Sequence, residues 1–194
     1  MNKKVIKELK SWGVVLAIFL TLYFTGLHTD VAAFAQRMIL YTGLLSPNTE
    51  LEEPLDERVN YNFNLKDLQG NVVSFSEFKD KVVFVNLWAS WCPPCIAEMP
   101  SIQSLYDKVD RNDVVFVMIS LDKDPERAKK FIEKRDFSFP VYTTTGTLPR
   151  AFRPGSIPTT LVLSKEGKIV SKKVGMANYD KKSFLKFLQK QVSG

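Results

Sequence analysis

Residues 81–100 read KVVFVNLWASWCPPCIAEMP, and this stretch decides the fold. Lys81 to Trp88 is a nearly unbroken run of β-branched and aromatic residues. Such a run predicts a strand buried on both faces, as in the interior of a parallel sheet. From Pro93 to Val109 the apolar positions Ile96, Met99, Ile102 and Leu105 recur at helical spacing. Between strand and helix stands Trp91-Cys92-Pro93-Pro94-Cys95.

That junction suits sulfur chemistry. Thiolate, not thiol, attacks a disulfide, so a reactive cysteine needs a depressed pKa. At the head of a helix, Cys92 faces unpaired N–H groups and the positive end of the dipole. Cys95 lies one turn further in and can reach back to close a disulfide. Pro93 and Pro94 preset the first turn but have no N–H to donate, which leaves the Cys95 amide as the main backbone donor to the Cys92 sulfur. The chain holds two cysteines and one histidine, His28, far upstream. Two cysteines are too few for a stapled scaffold, and a structural zinc site wants four ligands. A lone C-x-x-C points to redox work, with no metal and no cofactor expected.

Outward from the junction the elements alternate. Val114 to Leu121 (VVFVMISL) predicts a second buried strand, and Pro125 to Asp136 a helix with proline in its first turn. Thr159 to Leu163 and Lys168 to Val174 predict a hairpin across Lys165-Glu166-Gly167, followed by a helix with Phe184, Leu185, Phe187 and Leu188 on one face. Upstream, Tyr61 to Leu65 and Val72 to Phe75 flank Gln69-Gly70-Asn71 as another hairpin. This order gives an α/β fold with a mixed central sheet flanked by helices.

Val85 to Pro100 (VNLWASWCPPCIAEMP) resembles the TlpA/ResA-like branch of the thioredoxin superfamily, which runs N-F-W-A-x-W-C-x-x-C-x-x-E-x-P. Ser156-Ile157-Pro158-Thr159-Thr160 is similar to that family's cis-proline loop, and Lys173-Val174-Gly175 to its glycine turn before the last helix. The resemblance covers residues 60–194 and implies a thioredoxin-like fold and thiol–disulfide exchange through a Cys92–Cys95 disulfide. It implies a cis Ile157-Pro158 bond facing the cysteines, with adjoining backbone as a strand-like edge for an incoming peptide. Trp91, Ile157, Pro158 and Gly175 are the expected substrate-binding residues. One departure from thioredoxin matters: the buried acid six residues before the first cysteine is replaced by Asn86. Asn86 cannot take up a proton, so Glu98, three residues past Cys95, is the candidate to deprotonate it. The alternative for Glu98 is a first-turn acid that favours the helix dipole. The family implies a reductant, commonly in cytochrome c maturation, re-reduced by a membrane partner. Direction is not written in the motif, because C-x-x-C proteins span about 150 mV. A thiol peroxidase, a copper-handling chaperone and a redox-inert binding domain are the alternatives. The first normally lacks a C-x-x-C partner, the second would want a histidine beyond residue 60, and the third would not need both cysteines.

The N-terminal part has a different character. Residues 1–10 hold four lysines, and Ser11 to Thr29 contain no Asp, Glu, Lys or Arg. As one helix that run would span about 28 Å, near the roughly 30 Å hydrocarbon core. The lysines keep residues 1–10 in the cytoplasm, 11–29 serve as a transmembrane anchor, and 60–194 lie on the periplasmic side of the inner membrane. A cleaved signal ending at Ala33-Phe34-Ala35 and a buried soluble helix are the rival readings. Residues 30–59 divide into an apolar juxtamembrane stretch (31–45), which could lie along the membrane or pack on the domain, and an acidic linker, SPNTELEEPLDER (46–58). The net charge is +6, but the lysines are spread without a reading motif, so no nucleic-acid partner is expected. His28 reads as an interfacial residue, and Asp122 and Asp124 as caps of the Pro125 helix.

Overall fold

The computed structural model describes residues 3–25, 27–41 and 58–193. The linker read over 46–58 lies outside them except for Arg58. Helix α1 covers Lys3–Phe24 and α2 Leu27–Tyr41. The globular part follows as β1 (Asn64–Asp67), β2 (Val72–Ser74), β3 (Val82–Trp88), α3 (Pro93–Tyr106), β4 (Val114–Ser120), α4 (Pro125–Arg135), β5 (Val141–Thr144), β6 (Thr159–Leu163), β7 (Ile169–Val174) and α5 (Lys182–Ser193).

Among the described residues the strands form one mixed sheet, in the order β2-β1-β5-β4-β3-β6-β7. β3, β4 and β5 run parallel, and the other neighbours pair antiparallel. Every residue of β3 is buried, as its unbroken apolar run requires of a central strand. Alternation along β3 splits the core. Val82, Phe84 and Trp88 meet α3, α4 and α5 through Met99, Ile102, Ala128, Phe184 and Leu188. Val83, Val85 and Leu87 face Leu65, Phe75 and Phe152 on the opposite side. β5 has no counterpart in the sequence periodicity. It is four residues long and takes its place by pairing with both β4 and β1. The unit also begins earlier than residue 60: Arg58 bridges to Lys168, and buried Val59 donates its N–H to Gly167 O at 3.0 Å.

The N-terminal segment departs from expectation. The charge-free run Ser11 to Thr29 does not form one helix, because α1 ends at Phe24 and α2 begins at Leu27. Residues Lys3 to Lys10 are part of α1. Among the described residues no helix is long and apolar enough to cross a membrane. α1 nonetheless exposes several apolar side chains, with Trp12, Val14, Val15, Leu16 and Tyr23 all more than half exposed. α2 packs on the globular part. Its Ala33 and Leu40 bury Ile96 and Ala97 on the outer side of α3, beside Phe131 and Met176. Asp30 pairs with Arg135 at the end of α4.

Candidate redox site

The site assembles where β3 stops and α3 starts. Cys92 is the N-cap of α3, with φ −96° and ψ 104°, and the two prolines fill the first turn. Cys92 and Cys95 are joined in a disulfide, with Cα atoms 5.3 Å apart. The Cys95 N–H donates to Cys92 Sγ at 3.3 Å, as expected once both prolines have removed their own donors. Cys92 is 4% exposed and Cys95 is fully buried, while the adjacent Trp91 is 54% exposed. Cys92 therefore lies slightly nearer the surface, next in the chain to an exposed tryptophan, and Cys95 lies deeper.

The peptide bond Ile157-Pro158 is cis. It brings the Ile157 carbonyl oxygen within 3.9 Å of Cys92 Sγ. Gly175 closes this wall by donating its N–H to Pro158 O at 2.9 Å. Its φ of +83° belongs to the left-handed region, which glycine enters without steric penalty. Of the expected substrate-binding residues, Trp91 precedes Cys92 in the chain, the Ile157 carbonyl approaches its sulfur, and Pro158 and Gly175 are joined to each other by a backbone hydrogen bond.

Glu98 lies one turn beyond Cys95 and is completely buried. Its Oε1 accepts from Asn86 Nδ2 at 2.8 Å, and its Oε2 from the Ala177 N–H at 3.0 Å. Burial pushes the carboxyl up to about 8, against the opposing pull of the Asn86 and Ala177 donors and of the Lys173 charge. Glu98 also lies beyond the first turn of α3, which holds no acidic residue, so the first-turn dipole role does not describe it. Asn86, which cannot itself titrate, is the anchor of the acid and also donates to Thr160 Oγ1 at 2.9 Å. Its own side-chain Oδ1 is buried without a partner among the described residues. Sequence reasoning missed this pairing, although a lone polar residue in a buried strand already demands a partner.

Asp124, not Asp122, caps α4, accepting from Glu126 N–H at 3.1 Å. Asp122 instead turns toward the redox loop and accepts from both the N–H and the hydroxyl of Ser90.

The chain has counterparts among known proteins. The family model for Redoxin matches residues 55–187. The chain belongs to the Redoxin family. It is 35% identical over 115 residues to a thiol-disulfide oxidoreductase ResA of Bacillus cereus, which takes in 59% of this chain and 66% of that protein. With the ResA of a second Bacillus cereus strain it shares 31% over 132 residues, or 68% of this chain and 75% of the other. Among solved structures it is similar to StoA from Bacillus subtilis, with 27% identity, a TM-score of 0.55, and coverage of 64% of this chain and 94% of that one. A thioredoxin-family thiol:disulfide interchange protein from Chlorobium tepidum TLS, 24% identical, has the same fold at a TM-score of 0.60, covering 73% and 99% of the two chains. The fold is thioredoxin-like, and the chain is a thiol–disulfide oxidoreductase with the Cys92–Cys95 pair as its C-x-x-C centre. Helices α1 and α2 precede the stretch that the family model covers.

Proposed function

We propose that this oxidoreductase reduces protein disulfides outside the cytoplasm while attached to a membrane. The observation that carries the chemistry is the Cys92–Cys95 pair at the head of α3 with Glu98 sealed one turn behind it. In the dithiol form, the Cys92 thiolate is stabilised by the Cys95 N–H and by the helix N-terminus. It attacks one sulfur of the substrate disulfide. A mixed disulfide forms and the other substrate sulfur leaves as a thiolate. Cys95 then loses its proton toward Glu98, whose carboxyl burial has pushed up to about 8, the range in which a base near neutral pH is effective. The Cys95 thiolate attacks Cys92 Sγ, the second substrate thiolate leaves, and the enzyme holds the disulfide. Two electrons have passed to the substrate.

A membrane dithiol partner returns the enzyme to its reduced form. Cytochrome c maturation is the process that the ResA likeness suggests. Attachment rests on the charge-free stretch from Ser11 to Thr29 and the exposed apolar side chains of α1. The lysines before it favour the cytoplasmic side for the N-terminus, which puts the domain on the periplasmic side.

One experiment tests the reading. In membranes washed at alkaline pH, Cys95→Ser should trap substrates on Cys92 as thiol-sensitive adducts that stay in the pellet, and a second substitution, Cys92→Ser, should abolish them. Absence of any such adduct defeats the exchange mechanism; adducts released by the wash defeat membrane attachment. A reduction potential closer to about −120 mV than to about −270 mV reverses the direction.

A further inference from the structure

Asp122 stands just past the end of β4 and is only 8% exposed. Its carboxylate accepts three hydrogen bonds: from the Ser90 N–H at 2.9 Å, the Ser90 hydroxyl at 2.8 Å and the Ser120 hydroxyl at 2.8 Å. Its own N–H donates to Ser120 Oγ at 3.1 Å, and the Leu121 N–H donates to Trp88 O at 2.8 Å. The end of β4 is therefore stitched to the end of β3 and to the residue that precedes Trp91. Neither of the two ion pairs among the described residues involves Asp122.

A buried carboxylate is stable only while its lone pairs are matched. Here two of the three donors belong to Ser90. That residue cannot turn without stranding the charge, so its backbone and side chain are fixed together. The next two residues inherit the constraint. Trp91 is held with its ring outward, and the Cys92 N–H closes the turn onto Ala89 O at 3.2 Å. This places Cys92 at the cap of α3.

We propose that Asp122 is a positioning residue: through Ser90 it sets the Trp91 ring and the Cys92 sulfur in the attitude from which the sulfur attacks a disulfide. The proposal rests on the thiol–disulfide reading of the site. It also accounts for the buried acid that α4 does not use as a cap.

The test uses the full chain labelled with fluorotryptophan, in which the Trp91 fluorine resonance is assigned through Trp91→Phe. Asp122→Asn should shift that resonance and slow attack of reduced Cys92 on dipyridyl disulfide by about tenfold, the size of one lost hydrogen bond to a charged group. Ser90→Ala, which keeps the N–H donor but removes one hydrogen bond to the same charged group, should slow it by about tenfold as well, and Ser90→Thr should restore the rate. Asp124→Ala controls for general weakening: it removes the α4 cap and lowers the melting temperature, and it should leave both readings as in the wild type. The proposal falls if Asp122→Asn lowers the melting temperature without moving the resonance or the rate, or if Asp124→Ala moves them equally. A wild-type chain that reacts with no disulfide, but whose Trp91 resonance still responds to Asp122→Asn, defeats the redox reading and leaves the clamp standing.

Discussion

The two halves of the redox site occupy opposite environments on one helix. The Cys92 half lies at the rim, next to exposed Trp91, with a backbone donor and the helix N-terminus favouring a negative sulfur. The Glu98 half lies in the core, where burial works against a negative carboxylate and outweighs its two hydrogen bonds. Within a few residues of chain, a backbone donor and a helix terminus favour charge at one group while burial disfavours it at another. The difference teaches how the proposed exchange would divide its labour between a nucleophile near the surface and a proton acceptor sealed from water.

The largest effect should come from unmaking the deep half alone. Glu98→Gln keeps the shape and one of the two acceptor contacts, since its amide nitrogen can only donate, and it holds no exchangeable carboxyl proton. Resolution of the mixed disulfide by Cys95 should slow by about 10²-fold, the usual size of a positioned acid–base group's contribution, while first attack by Cys92 stays near the wild-type rate. Rapid-mixing kinetics separate the steps, and equal slowing of both would merge the halves that the geometry keeps apart.

A second test reads the same contrast through stability. The Glu98 carboxyl is raised from its ordinary 4.5 to about 8 in the fold, so the native state binds its proton more tightly than the unfolded chain. Its favourable contribution is complete below 4.5 and is lost as pH climbs to about 8. Denaturant titrations of the disulfide form should show stability falling across that window, and Glu98→Gln should flatten this component of the slope. An unchanged slope would mean that the carboxyl is not sealed.

The smallest effect belongs to the rim. Trp91→Ala should raise KM for a protein disulfide by about fivefold, as for a modest interface contact. It should leave the resolution rate unaltered and the stability within about 0.5 kcal/mol, since the ring is mostly in solvent. A loss confined to resolution would place Trp91 with the wrong half.

Much of this was legible beforehand because it depends on neighbours in the chain. The buried run of β3, the helical spacing of α3 and the cysteines at their junction are local patterns, and their elements appear within a residue or two at the strand and helix starts. Glu98 was legible as a candidate from its spacing to Cys95. Its burial was not, because Asn86, Thr160 and Ala177 converge from β3, β6 and the loop after β7. Asp122 was misread as a cap for the same reason: Asp124 satisfies the local signal, and Asp122 answers to Ser90, 32 residues earlier. β5 escaped notice because four residues carry too little periodicity, and only pairing with strands on both sides makes them a strand. The division of Ser11 to Thr29 between α1 and α2 likewise lies outside any count of apolar residues.

By itself, then, the chain determined the strand and helix that meet at the redox junction and the place of the sulfurs between them, because propensity, periodicity and the reach of a C-x-x-C loop act over a few residues. Only the tertiary structure decided which carboxylate is sealed, which is tethered to the redox loop, and that α2 lies on the outer side of α3. Those outcomes depend on which distant surfaces exclude water from each other, and exclusion of water sets both the cost of a buried charge and the hydrogen bonds that must offset it.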